Sequence, residues 1–419
     1  MISNIINETK LSVSEKFLLI LSAAYMLHNS PYIGVRMPAM LFAGIVVLLF
    51  IYICLLFSRY RNVFSYLLPV FALFFLDLCF YKSIGVNDSK SLLILISEVF
   101  QTLTLPLLAG YAITRQNTKL SMCLLLIFLS VELVTYFSSI LAELEFPGII
   151  RLNPGQLKDD DSNLYAMKTS LNVGSFNTVY GAATLIPIAI LIMKYRNELF
   201  DKYYMRIASI LSPFFFLYFI YTSQFTIALA GSILLMCTLF CPKCITPSFF
   251  KRSILVGLVT AFFINSMVPL ILHTVADSIE SPIMADRLDG IALTFEGDED
   301  TGSEGTERRK EVYMKSLSTI LDTFFMGTWN ENGIGGHSYI LDHIARYGLV
   351  GVLLLIIFYK GIINQFYQPF REELWSFYYL YGLLGVSIFL LFNPSPLYDQ
   401  LTFCYPLSAF LIHNKLQKK

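Results

Sequence analysis

Apolar blocks long enough to cross about 30 Å of hydrocarbon recur from one end of this 419-residue chain to the other, with short charged segments between them. In lipid, every backbone N–H and C=O must find its partner inside the structure, so only helices and closed barrels are open to such a chain. The blocks run continuously apolar instead of alternating in strand-length pieces, which selects helices. The spacing predicts spans over 17–30, 38–58, 64–82, 91–114, 120–138, 174–194, 206–222, 224–241, 252–273, 345–362, 374–393 and 400–413. The expected fold class is therefore all-α: a polytopic membrane helix bundle of about twelve transmembrane helices, forming one transmembrane domain over 1–419. Only 14% of the residues are charged, where a soluble domain carries nearer to a quarter, so the blocks do not read as buried core helices of a soluble protein.

The block from Phe17 to His28 follows Lys10 and Lys16 and lacks a clear small-residue cleavage site, so a retained first helix is expected, not a removed signal peptide. Basic residues then set the orientation. Arg59 and Arg61, Arg115 and Lys119, Lys194 to Arg206, Lys243 to Arg252, Lys360 and Arg371, and the tail Lys415, Lys418 and Lys419 all fall on alternate sides of successive spans. An excess of Lys and Arg marks the cytoplasmic side, so both termini are expected there. The partner implied at this stage is the lipid bilayer; a formal net charge of zero gives no footprint for nucleic acid, and none is expected.

Two segments break the run of short loops, and the orientation puts both outside. One is the first long loop, 139–173; the other is a large extracytoplasmic loop, 274–344. Long connections in compact structures are usually functional, and these two meet the same face, so chemistry is expected at that face. The larger loop divides into a mobile acidic segment, 296–307, and an amphipathic helix, 308–325, in which Tyr313, Leu317, Ile320, Leu321 and Phe324 recur at helical spacing. Asp298 and Asp300 begin a weak calcium-loop pattern that fails at Gly302 and lacks the required later glycine and glutamate. Cys241 and Cys244 form a single CPKC with no second pair nearby, which does not amount to a metal or redox motif.

Three carboxylates interrupt apolar spans: Asp77, Glu98 and Glu132. A charge in hydrocarbon is costly, so each is expected to face the bundle interior or a wet cavity. There they either help to activate an acceptor hydroxyl or are protonated or paired for packing. Arg151 lies in the first long loop, and Arg308, Arg309 and Lys310 lie in the second. A guanidinium offers a rigid fork of donors suited to phosphate oxygens, although exposed arginines are commonly just solvated. His337 follows a glycine-rich turn and is a candidate general base or phosphate donor. Asp342 and Arg346 are spaced for an intrahelical ion pair, with His343 packing locally.

The segment from Glu307 to Leu353 resembles the signature region of the O-antigen polymerase and ligase superfamily. The matching residues are Arg309 at the start of a loop helix, Gly333, His337, Gly348 and Gly351. The stretch entering the sixth span is similar to that family's glycine–aromatic–asparagine–glycine phrase, with Gly174, Phe176, Asn177 and Gly181. Arg151 resembles the family's loop arginine. Tyr313 stands where tryptophan is frequent, and Ser338 where asparagine is usual. The resemblance implies a metal-independent, inverting glycosyltransferase: a Wzy-type polymerase of O-antigen or capsular polysaccharide, working at the periplasmic face of a bacterial inner membrane. Its donor and acceptor would both be polyprenyl diphosphate-linked oligosaccharides. No metal and no cofactor would be needed, because the lipid diphosphate is itself the leaving group. Arg151, Arg309 and Arg308 would hold the diphosphate, and Glu132, Glu98 or His337 would take the acceptor proton. Asn177, Gly181, Gly333 and Gly348 would be structural. A chain-length regulator and a flippase would be partners. A ligase of the same superfamily fits the same motifs. A flippase or transporter would predict inverted repeats, which the sequence does not display.

Overall fold

The computed structural model describes residues 11–60, 68, 71, 89–151, 162–240, 271–279, 282–296, 304–329, 333–336, 338–367, 386, 389, 390 and 399–417. Over these residues the protein is all-α, with five apolar helices long enough to span a membrane: Ala39–Phe57, Thr118–Glu145, Phe176–Lys194, Tyr203–Thr222 and Tyr339–Phe366. Expected spans 64–82, 252–273 and 374–393 lie almost wholly outside the described residues.

In chain order the elements are α1 (Val13–Leu27), α2 (Pro31–Arg36), α3 (Ala39–Phe57), α4 (Ser89–Thr114), α5 (Thr118–Glu145), α6 (Ser162–Ser170) and α7 (Phe176–Lys194). There follow α8 (Tyr203–Thr222), α9 (Thr226–Phe240), α10 (Pro282–Glu296), α11 (Glu304–Thr323), α12 (Tyr339–Ile362) and α13 (Tyr405–Leu416). A π-helical turn, Gln400–Cys404, leads directly into α13.

The burial pattern shows how these helices sit. In α3, Phe42, Val46, Leu49, Ile53 and Leu56 are buried, one stripe at steps of three and four residues. The opposite face is just as apolar yet exposed, with Met40, Leu41, Leu48, Ile51 and Leu55 uncovered. Helix α5 repeats this, burying Leu124, Phe128, Tyr136, Ser139 and Glu143 while exposing Leu126, Leu133, Phe137, Leu141 and Leu144. Helices with apolar residues on their uncovered sides are suited to a hydrocarbon surround. Helix α7 differs: every residue from Val179 to Leu191 is buried, as a helix apolar all round must be when it runs through the middle. It packs against α8 and α9 and touches α13. The Tyr405 hydroxyl of α13 donates to the Thr184 carbonyl of α7.

Several boundaries differ from the sequence expectation. Helix α12 begins at Tyr339, six positions before the expected 345, because Ser338 caps it with its side chain (Leu341 N–H to Ser338 Oγ, 3.2 Å). Helix α11 begins at Glu304 instead of 308, so the end of the segment expected to be mobile and acidic is helical; residues 297–303 lie outside the described residues. The first long loop contains α6, and the large one contains α10.

Candidate functional site

The site is built at the end of the bundle where α5 finishes and α7 and α9 begin. Arg151 closes a short 3-10 turn, Ile149–Arg151, just after α5. That turn is held by a carboxylate on the last helical turn of α5. Glu143, itself buried, accepts from Gly148 N–H at 2.5 Å and Ile150 N–H at 3.1 Å. Gly148 has φ +89, which a side chain would resist. Lys168 of α6 reaches in from the other side and donates to the Ile150 carbonyl at 2.8 Å. Lys168 is also buried, and desolvation pushes its pKa down from 10.5 to about 8, opposed by the nearby Glu143 charge.

So positioned, the half-buried Arg151 sets its guanidinium 5.7 Å from the centroid of Phe225, the residue immediately before α9. Phe225 packs edge-on against Phe176, the first residue of α7, at 5.2 Å, and Phe176 lies 4.7 Å from Tyr180. Arg151 thus stands beside the first turns of two apolar helices. The first turn of a helix carries the positive end of its dipole, which favours an anion.

Glu132 lies deeper on α5. Its position falls on the stripe that also carries Leu125, Phe128, Tyr136, Ser139 and Glu143, all buried, so it looks into the bundle. Its own side chain is only half-buried. Asp399, just before the π turn and also half-buried, is within electrostatic reach of Glu132, and both act on Cys404. The Tyr136 hydroxyl is close to Glu132 but makes no hydrogen bond of good geometry. Gly181 of α7 faces the same group: a Cβ there would lie 3.2 Å from Gln400 Nε2 and 3.9 Å from the Tyr136 hydroxyl.

The other motif residues sort by their surroundings. Gly174 donates its N–H to Ser139 Oγ at 2.8 Å, and Asn177, in the first turn of α7, is exposed. Gly333 offers its carbonyl to Thr319 Oγ1 at 2.7 Å. Gly335 lets the loop press against the Val312 carbonyl of α11, where a Cβ would come within 2.0 Å. Gly348 interrupts α12 with φ +59 and ψ −145. The interruption leaves the carbonyls of Ala345 and Arg346 to accept from Thr328 N–H at 3.0 Å and Trp329 N–H at 3.1 Å. Asp342 accepts from Ser316 Oγ at 2.6 Å and from Ser338 N–H at 3.1 Å, tying α11 to the start of α12. His343 packs between Tyr339 and Tyr347.

Asp77 and His337 lie outside the described residues. For Glu98, Arg308 and Arg309 only the backbone is described: Glu98 lies on α4, and the two arginines on the first turns of α11. Those arginines precede Val312 by one turn, and Val312 touches the Gly335 turn. The start of α12 joins the Arg151 end through Ile340 N–H to Leu390 O at 3.3 Å, with Phe389 against Tyr180 at 5.8 Å.

Sequence reasoning missed Asp399, Gln400 and Tyr136, as well as the Glu143–Lys168 clamp. Asp399 and Gln400 carried a usable signal, adjacent polar residues at the entry of an apolar span, but a proline-rich approach made them read as loop. No protein-family model matches this chain, and comparison with curated proteins finds no match.

Proposed function

We propose that this protein is a membrane-embedded glycosyltransferase that polymerises polyprenyl diphosphate-linked oligosaccharide repeat units, forming O-antigen or capsular polysaccharide at the periplasmic face of a bacterial inner membrane. The observation that carries this reading is the placement of Arg151 beside the first turns of α7 and α9, above a bundle-facing carboxylate, Glu132. Anion-favouring groups and a candidate base then occupy successive levels at one end of the bundle. Phe176 and Gly181 are five residues apart, so the two levels are separated by roughly 8 Å along α7. That is a distance on the scale of one sugar residue.

In this reaction the acceptor hydroxyl gives its proton to a carboxylate. Its oxygen forms a bond to the anomeric carbon of the donor, and the bond from that carbon to the diphosphate oxygen breaks. The electron pair leaves with the lipid diphosphate, and displacement from the opposite face inverts the centre. Arg151 and Arg309, with Arg308, hold the diphosphate and stabilise its growing charge. Glu132 is the base that the geometry supports best; Glu98 and His337 are the other candidates. Both termini are cytoplasmic in this reading, and a chain-length regulator and a flippase act beside it.

The test is the glycan length profile of a deletion strain complemented at equal protein level. Deletion is expected to leave a single repeat unit on the surface, and the intact gene to restore the ladder. Arg151→Ala and Arg309→Ala are expected to cut the polymerisation rate roughly a hundredfold. Long chains left on their carrier lipid would instead identify a ligase. Repeat units trapped on the cytoplasmic side would identify a flippase and remove the basis for these roles.

A further inference from the structure

Glu132, which looks into the bundle, and Asp399, next to Gln400 in the chain, lie within electrostatic reach of each other, and among the described residues neither lies within ion-pair distance of a cation. Two further polar groups share the spot. The Tyr136 hydroxyl is fully buried beside the Glu132 carboxylate, with no hydrogen bond of good geometry. Gln400 is 7% exposed, and its amide nitrogen lies against Gly181 of α7. Buried polar groups are ordinarily satisfied, so a bonded ligand is the natural completion of such a cluster. The local backbone bears this out, because Gln400 opens a π-helical turn in which Tyr405 N–H reaches back to the Gln400 carbonyl. Such bulges are frequent at functional sites, since they re-aim a side chain that a regular helix would place elsewhere. Across from it, α7 has glycine at 181, where a Cβ would press within 3.2 Å of Gln400 Nε2 and 3.9 Å of the Tyr136 hydroxyl, so the missing side chain lets both polar groups approach α7 closely.

The chemistry of this group selects its ligand. Two carboxylates repel phosphate, so the diphosphate belongs at the Arg151 level and not here. A neutral polyol suits it: carboxylates accept from hydroxyls, the Gln400 amide both donates and accepts, and the Tyr136 hydroxyl does either. Tyr136 is itself fixed by stacking on Phe219, with ring centroids 4.7 Å apart, so its hydroxyl is held in one place.

Building on the transferase reading above, we propose that Glu132, Tyr136, Asp399 and Gln400, gathered around Gly181, form the acceptor subsite and bind neighbouring hydroxyls of the acceptor saccharide. Asp399 and Gln400 grip the sugar, and Glu132 faces the hydroxyl that reacts.

The test uses the full-length protein in lipid nanodiscs, titrated with the unlipidated repeat-unit oligosaccharide released by mild acid from the strain's own surface glycan. Asp399→Asn and Gln400→Ala are each expected to weaken binding at least tenfold, while Arg151→Ala changes it less than twofold. Gln400→Ala only removes atoms, and Gly181→Ala, which narrows the same space, gives an independent variant expected to weaken binding at least fivefold. Unchanged affinity in all three variants overturns the subsite. So does a wild-type protein that ignores the oligosaccharide but binds sodium in a way that Asp399→Asn abolishes; the cluster is then a cation site. The length ladder separates the two levels of argument. If deletion leaves the ladder intact, the transferase reading falls. If deletion removes it but Asp399→Asn and Gln400→Ala restore it in full, the subsite falls alone.

Discussion

Lys168 brings an ammonium into a buried place to hold one carbonyl, that of Ile150, and so fixes the turn that ends in Arg151. Desolvation lowers its pKa to about 8, while the unfolded chain keeps the ordinary 10.5. Below pH 8 both states carry the proton and Lys168 adds no pH dependence. Between 8 and 10.5 the unfolded state binds more protons than the folded one, so stability rises with pH across that window. Full titration corresponds to a gain on the order of 3 kcal/mol. The melting temperature of the wild type relative to Lys168→Met should therefore shift in favour of the wild type as pH rises from 7.5 to 10. Taking the difference cancels the other titrating groups, and a flat difference would contradict this account. Lys168 went unnoticed in the sequence for a physical reason. A lysine in a polar loop is ordinarily solvated, and only the tertiary approach of α6 to the end of α5 buries this one.

At the scale of elements, α12 is two helical pieces meeting at Gly348. The sequence reveals the apolar run that follows and the glycine itself, and the resemblance assigns that glycine a structural part. What it does not reveal is the reason: the chain after α11 folds back onto α12, and Gly327, with φ +69, and Gly348, with φ +59, pack backbone to backbone. A Cβ at Gly348 would lie 2.6 Å from Gly327 N and 2.7 Å from Phe324 O, atoms of the main chain that cannot rotate away. Gly348→Ala combines that clash with a positive φ and is expected to cost about 3 kcal/mol or more. Straightening α12 would also take the Ala345 and Arg346 carbonyls from Thr328 and Trp329. Proteolysis of the segment between α11 and α12 in membranes should become at least tenfold faster in this variant. Gly44 is a matched control, since it has open space around its Cβ position and an ordinary helical backbone, and Gly44→Ala should leave the rate unchanged. An equal response at both positions would show that the kink is not under constraint.

Across the whole molecule, apolar packing sets which helices meet, but polar ties at the two ends set how far along their axes they slide. The apolar stripes of α3 and α5 were legible because their period is local. The ties were not, because each joins residues far apart in sequence. At one end Asn117 caps α5 through Leu120 N–H at 3.0 Å and donates to the buried Glu15 of α1 at 3.0 Å, with Arg115 at 3.8 Å from the same carboxylate. At the other end Asn172, with φ +56, accepts from Ser30 Oγ at 2.7 Å and Tyr32 N–H at 3.1 Å, and donates to Ser138 Oγ at 3.2 Å. It thereby joins the α1–α2 turn, α5 and the approach to α7. Asn172→Ala removes these bonds and places a side chain that disfavours this φ in a left-handed position, an expected loss of roughly 2–4 kcal/mol. Asn172→Gly keeps the backbone freedom and should lose about 1 kcal/mol less. Asn117→Ala should cost about 1–3 kcal/mol as a lost cap and a lost buried bond. Because the two ties share no partner and sit at opposite ends of α5, which at 28 residues spans roughly 40 Å, the double variant should lose the sum to within about 0.5 kcal/mol. A loss well above the sum, in denaturant titrations of the protein in mixed micelles, would mean that the ends are coupled through the bundle. The Arg151 end could not then be treated as a site built independently of the rest.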